Sequence, residues 1–114
     1  MAAGYQELFL EKGSDFSTSI TLDNADGTAF SLANTQVKSS IRKSYYSANT
    51  TADFVTIIPD VTQGIIFLTL PHTTTANITA GRYVYDVLIK DTSANTVSRV
   101  LEGIVNVLPQ VTVF

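Results

Sequence analysis

An all-β fold, an antiparallel sandwich of about seven strands, follows from three features of this sequence. Short runs of alternating apolar and polar residues recur at roughly ten-residue spacing with turn residues between them. No stretch longer than one turn carries the roughly 3.6-residue period of a helix. The segment Ala80–Leu108 then reads as one long hairpin: Tyr83, Tyr85, Val87 and Ile89 share a face, and Asp91-Thr92-Ser93-Ala94-Asn95 turns the chain. Val97, Leu101, Val105 and Val107 follow at odd spacing on the returning strand. Val84 and Leu88 occupy the second face of the outgoing strand, with Asp86 between them. A strand apolar on both sides belongs in the middle of a sheet.

The other elements follow in order. Tyr5–Glu11 is a first strand that ends at the turn Lys12-Gly13-Ser14-Asp15. Phe16, Thr18, Ile20 and Leu22 share the dry face of a second, with Ser17, Ser19 and Thr21 on its wet side. Asp23-Asn24-Ala25-Asp26-Gly27 is a turn whose glycine supplies a positive φ. Its acidic spacing does not suit a calcium loop, and no distal Glu completes a cage. Phe30 and Leu32 suggest a brief strand crossing between sheets. From Thr35, Val37 and Ile41 face inward while Gln36, Lys38, Ser40 and Arg42 face water. Ser47–Ala52 is a polar loop, Phe54–Ile58 a strand, and Ile65–Leu70 a strand covered on both faces that Pro71 ends. His72–Thr79 forms one helical turn over the open end, with Ile78 packing down.

Seven strands at this spacing define an immunoglobulin-like sandwich. With neither Cys nor Trp in the chain, the aromatic core falls to Phe16, Phe30, Phe54, Phe67, Tyr83 and Tyr85. The 114 residues form one domain, residues 1–114, with extended arms at both ends. A chain of this length removes roughly 65% of its unfolded surface from water. Hydrophobic residues at 45% against 15% charged exclude a disordered chain. The net charge of -3 argues against a nucleic-acid or anionic-membrane surface. No apolar run approaches the ~20 residues of a membrane span, and Met1-Ala2-Ala3-Gly4-Tyr5 lacks the pattern of a secretory signal. The sequons at Asn49 and Asn77 are therefore read as accidental.

Reactive chemistry is sparse. His72 is the single histidine, and no companion base, nucleophile or co-ligand accompanies it. No Ser-His-Asp set, metal cluster or phosphate loop is present, so an enzyme, a metal site and a cofactor are not expected. Arg82, Asp86, Arg99 and Glu102 form a charge cluster across the long hairpin, read as structural pairing. Two candidate interfaces remain. One joins Lys38, Arg42 and Lys43 to Tyr45 and Tyr46, where a cation can sit beside aromatic rings. The same residues also read as a solvated edge strand whose charges discourage aggregation. The other is the tail beyond Pro109, where Val111, Val113 and Phe114 alternate as a strand would. Exposed, they would need a cover, by strand addition or arm exchange with a neighbouring subunit or by extending their own sheet.

Five segments carry a family resemblance: L-F-L-E-K-G-S-D-F (Leu8–Phe16), T-L-D-N-A-D-G-T-A-F-S-L (Thr21–Leu32), V-K-S-S-I-R-K-S (Val37–Ser44), G-R-Y-V-Y-D (Gly81–Asp86) and R-V-L-E-G-I-V-N-V-L-P (Arg99–Pro109). Together they are spread along nearly the whole chain, from Leu8 to Pro109. The pattern resembles small tailed-bacteriophage virion domains. It is similar to the immunoglobulin-like N-terminal domain of upper baseplate proteins and to stand-alone structural proteins of contractile-tailed phages. The resemblance implies a non-enzymatic part of the particle, made in the host cytoplasm, that attaches or spaces other virion proteins in the tail, baseplate or neck. It also implies a homo-oligomer on the particle. The sequence departs from the pattern by ending at Phe114, without a following receptor-binding or coiled-coil region. That favours a small subunit of a larger assembly over host recognition. A capsid decoration protein is the neighbouring alternative. A carbohydrate-adhesion module using Tyr45 and Tyr46 is the alternative of another class.

Overall fold

A computed structural model describes residues 4–114. In chain order the elements are β1 (Gly4–Tyr5), β2 (Leu8–Glu11), β3 (Phe16–Thr21), β4 (Thr35–Arg42), β5 (Ala52–Asp53), β6 (Val55–Ile57), β7 (Ile65–Leu70), α1 (His72–Thr75), β8 (Gly81–Asp91) and β9 (Thr96–Leu108). The larger sheet runs β1-β9-β8-β4-β5, with β2 also on β9, and the smaller runs β3-β7-β6. Two sheets so composed, with hairpin strands β8 and β9 at the centre of one, make a β-sandwich of the immunoglobulin type. Eight of the nine strands fall on the seven expected runs, the first of which is broken in two, and β5 (Ala52–Asp53) is a strand where a loop was expected.

The first break is at Gln6–Glu7, between β1 and β2, and both pieces pair parallel to β9. The expectation of a wholly antiparallel fold is corrected here. The opening strand joins the edge of the last one in the same direction, and its ladder continues through Gln6, whose N–H donates to Glu102 O at 3.0 Å. The second break is at Phe54. Ala52 and Asp53 pair with β4 in the larger sheet, and Val55–Ile57 pair with β7 in the smaller. Phe54, buried, is the corner at which the chain changes sheets, and its N–H donates to Ser39 O at 2.9 Å.

The long hairpin is present as expected, with β8 between β9 and β4. Asn95 takes the left-handed conformation that closes its turn, at φ 54°. Its register holds a surprise. Val87 pairs with Leu101 but Leu88 pairs with Arg99, so Val100 is an extra residue, a β-bulge. The bulge reverses the facing parity of β9. Val97, expected inside, is exposed, and Val100 is buried in its place. The predicted strand at Phe30–Leu32 is absent. One bridge joins Asp23 to Ala29, and Leu32 is buried as a loop residue with its N–H on Val61 O at 2.8 Å.

The core lies between the sheets and is built from Leu10, Ile20, Leu32, Ile41, Ile66, Leu68, Val87 and Val105, among others. Phe16, Phe54 and Tyr85 link the layers, with ring centroids 5.9 Å and 6.1 Å apart, the second pair edge-on. This chain of rings occupies the role of the missing Cys–Trp–Cys pin. Phe67 is not part of it. It lies half-buried on the outer face of β7, which is open to solvent rather than covered on both sides. Tyr83 donates its hydroxyl to Thr79 O at 2.6 Å, four residues back, at the corner leading into β8. That is the tyrosine corner of sandwich folds.

Candidate functional site

The basic strand and aromatic loop share one end of the larger sheet. Arg42, the last residue of β4, donates Nη1 to Ser47 O at 2.8 Å and Ala48 O at 3.1 Å. Lys43 donates Nζ to Arg82 O at 3.3 Å and stands 4.6 Å from the Tyr83 ring centroid. The cation–aromatic contact expected at Tyr45 and Tyr46 therefore forms on Tyr83 instead. Both cations brace their own chain, and the loop they brace carries two projecting rings, Tyr45 at 64% and Tyr46 at 97% exposure. Lys38 is exposed earlier on the strand. The strand is not a simple edge, since β5 and the corner at Phe54 cover part of its outer side.

Beside this loop lies the charge cluster. Asp86 and Glu102 are directly opposed across β8 and β9, an unfavourable pairing of like charges. Arg99 joins them, with Nε 3.4 Å from Asp86 Oδ2 and Nη1 3.2 Å from Glu102 Oε2. In a regular strand residues three apart point to opposite faces. The bulge at Val100 returns Arg99 and Glu102 to the same face, so one irregularity builds the cluster. Arg82 takes no part. Cross-strand pairing sets it opposite Asn106, and it makes no ion pair among the described residues. Ser40, Arg42, Tyr45, Asp86 and Arg99 bound a cavity of about 130 Å³.

A third assembly lies around the turn between β2 and β3, where Lys12 N–H donates to Leu108 O at 3.0 Å. Thr75, fully buried, accepts the Gly13 N–H at 3.1 Å and donates to Ser14 O at 2.8 Å. Asp15 accepts the His72 backbone N–H at 2.6 Å and lies 2.9 Å from its Nδ1. These bonds, the backbone one foremost, hold the Asp15 carboxyl below its ordinary range. His72 thus helps lock α1 to the turn. The C-terminal tail leaves the sandwich at the same place, where a Cβ on Gly13 would run into the Gln110 amide. Tail and turn line one cleft of about 660 Å³. Beyond Gln110 the tail is not a strand, contrary to its alternation. Val111 is 100% and Val113 75% exposed, and Phe114 is equally free.

Gly103 and Tyr85 position the opening strand. Tyr85 donates its hydroxyl to Gln6 O at 2.8 Å, and burial pushes its ionisation up to about 12. A Cβ on Gly103 would collide with the same carbonyl. Among the described residues no group of three or more His, Cys, Asp or Glu side chains could hold a metal ion. Among the same residues no helix is long and apolar enough to cross a membrane.

The strand pairing defines the chain as a β-sandwich module that carries exposed apolar surfaces and internal braces. No protein-family model matches it, and no curated protein matches it. Among solved structures it is similar to InlP of Listeria monocytogenes, at a TM-score of 0.48 and 12% identity over 93% of this chain and 28% of that one. It is also similar to a family 123 glycoside hydrolase from Clostridium perfringens, at 0.43 and 13% over 95% and 23%. The chain spans less than a third of either protein. At such scores neither likeness carries an activity across, and the sandwich assignment stands on the strand pairing.

Proposed function

We propose that this chain is a non-enzymatic structural module of a tailed-phage particle, attaching or spacing other virion proteins in the tail, baseplate or neck. The observation that carries the reading is the pair of uncovered apolar surfaces that follow β4 and β9, the Tyr45–Tyr46 loop and the Val111–Phe114 tail. Exposed apolar groups of this kind mark contact sites, and two of them suit a module that attaches to neighbouring proteins. The sequence resemblance supplies the setting. The test is abundance: density-banded particles from an infected culture should retain this chain in a fixed ratio to the other virion proteins. A chain left wholly in the soluble lysate would overturn the reading.

A carbohydrate-adhesion module is the second reading, favoured by the polar cavity under Tyr45 that Ser40, Asp86 and Arg99 share. Binding on a glycan array that disappears in Tyr45→Ala/Tyr46→Ala would establish it. Absence of glycan binding leaves the structural reading in place.

A further inference from the structure

The smaller sheet has an open edge. Among the described residues β3 pairs with β7 on one side and with no strand on the other. Leu22 N–H donates to Gly64 O on the β7 side at 2.8 Å, so the even-numbered residues turn their backbone groups into the sheet. Ser17, Ser19 and Thr21 turn theirs outward, and no loop among the described residues hydrogen-bonds to them. Proteins guard such edges with charges, prolines or short strands. β2 ends in Glu11 and is flanked by Glu7 and Lys12, and β5 and β6 are two and three residues long. Phe16–Leu22 has neither a charge nor a proline.

The tail is the matching half. Residues 110–114 alternate as a strand, carry no charged side chain and make no backbone pairing with their own sheets. Their one internal bond is from Gln110 Nε2 to Thr112 O at 2.9 Å. Extended, five residues span about 17 Å against about 20 Å for the six of β3. The tail emerges beside Gly13–Asp15, where β3 begins, but Val113 and Phe114 lie toward His72, Thr73 and Ala76. Within one molecule, edge and tail are both left free.

We propose that the open edge of β3 accepts residues 110–114 of a second copy as an added strand. Ser17, Ser19 and Thr21 supply the backbone groups, and the incoming strand extends the uncharged outer face formed with Thr69, Phe67 and Val55. Because tail and edge start from one corner, two copies can exchange tails reciprocally around a two-fold axis. The contact is a property of the purified protein and does not rest on the particle reading.

The chain has no cysteine, so introduced ones report pairing without background. Ser19→Cys and Val113→Cys proteins of different mass, mixed under mild oxidant, should form the mixed disulfide at least roughly tenfold faster than either self-pair. Ser19→Pro removes an outward N–H without breaking a bond to β7, so it should fold yet weaken self-association in sedimentation equilibrium by roughly tenfold or more. Deleting residues 110–114 should do the same. Mixed disulfide no faster than self-pairs would overturn the proposal. So would a Ser19→Cys/Val113→Cys chain that closes only on itself, or association unchanged in the folded Pro and deletion variants.

Discussion

Thr75→Val removes a hydroxyl and keeps the volume. In the native chain that hydroxyl sits at zero exposure and serves two backbone groups of a different element, the Gly13 N–H and the Ser14 carbonyl. Valine orphans both. An unsatisfied buried group costs about 1–3 kcal/mol. Gly13 is only partly covered and Ser14 is exposed, so water recovers part of the loss. The low end for each gives a total of about 2 kcal/mol. At about 2.1 cal/mol/K per residue, 114 residues unfold with an entropy of about 240 cal/mol/K, so Tm should fall by about 8 °C. Thr75→Ser keeps the hydroxyl and loses one methyl, costing about 1 kcal/mol. The assay is thermal unfolding by circular dichroism, with amide exchange at Gly13. A Thr75→Val protein as stable as Thr75→Ser, with Gly13 still protected, would refute the reasoning that this hydroxyl ties α1 to the turn.

Gly103→Ala drives a methyl into the Gln6 carbonyl, so β1 should detach from β9. Overpacking of this kind costs about 1–3 kcal/mol, and Gln6 amide protection should vanish while that of β7 persists. Arg99→Gln leaves Asp86 facing Glu102, but all three side chains are at least a third exposed, so the loss should stay under about 1 kcal/mol and shrink at high salt. A salt-independent loss would mean that the arginine acts by packing. Acid should destabilise the fold in a defined window. Asp15, Asp26, Asp60 and Asp91 are all lowered by hydrogen bonds, from the His72 backbone N–H, the Thr28 hydroxyl, the Thr62 N–H and the Ser93 hydroxyl respectively. Folded values below unfolded ones contribute stability above about pH 4 that is lost as pH falls further. Tm should therefore hold from neutral pH to about 5 and decline below 4, less steeply in Asp91→Asn. A decline already complete at about pH 5 would assign the effect to other groups.

The long hairpin was legible because its signals are local: period two on both sides of a five-residue turn, closed by an asparagine that tolerates positive φ. Likewise Asp23–Gly27 reads as a turn from its letters, and Asp26 takes the Thr28 N–H and hydroxyl there rather than an ion. What failed to show is non-local. Nothing in Leu8–Glu11 reveals that its partner is Val105–Leu108 running the same way, nearly a hundred residues on. The bulge is invisible because Val97, Val100 and Leu101 are all apolar, so either parity fits the pattern. Yet the bulge decides which charges meet: it puts Arg99 on the face of Asp86 and Glu102, whereas Arg82 stands opposite Asn106, away from them. Thr75 was hidden in a run of three threonines, of which only the third points inward. Tyr45 and Tyr46 were found by their letters alone, but the cations beside them turned out to be spent on backbone carbonyls and on Tyr83.

Immunogold labelling of intact particles with antibody to this chain bears most directly on its proposed role. The structural reading predicts gold confined to the tail, baseplate or neck. Gold spread over the head would replace attachment with decoration. No label on particles whose epitopes are accessible would contradict a virion role and bring adhesion forward.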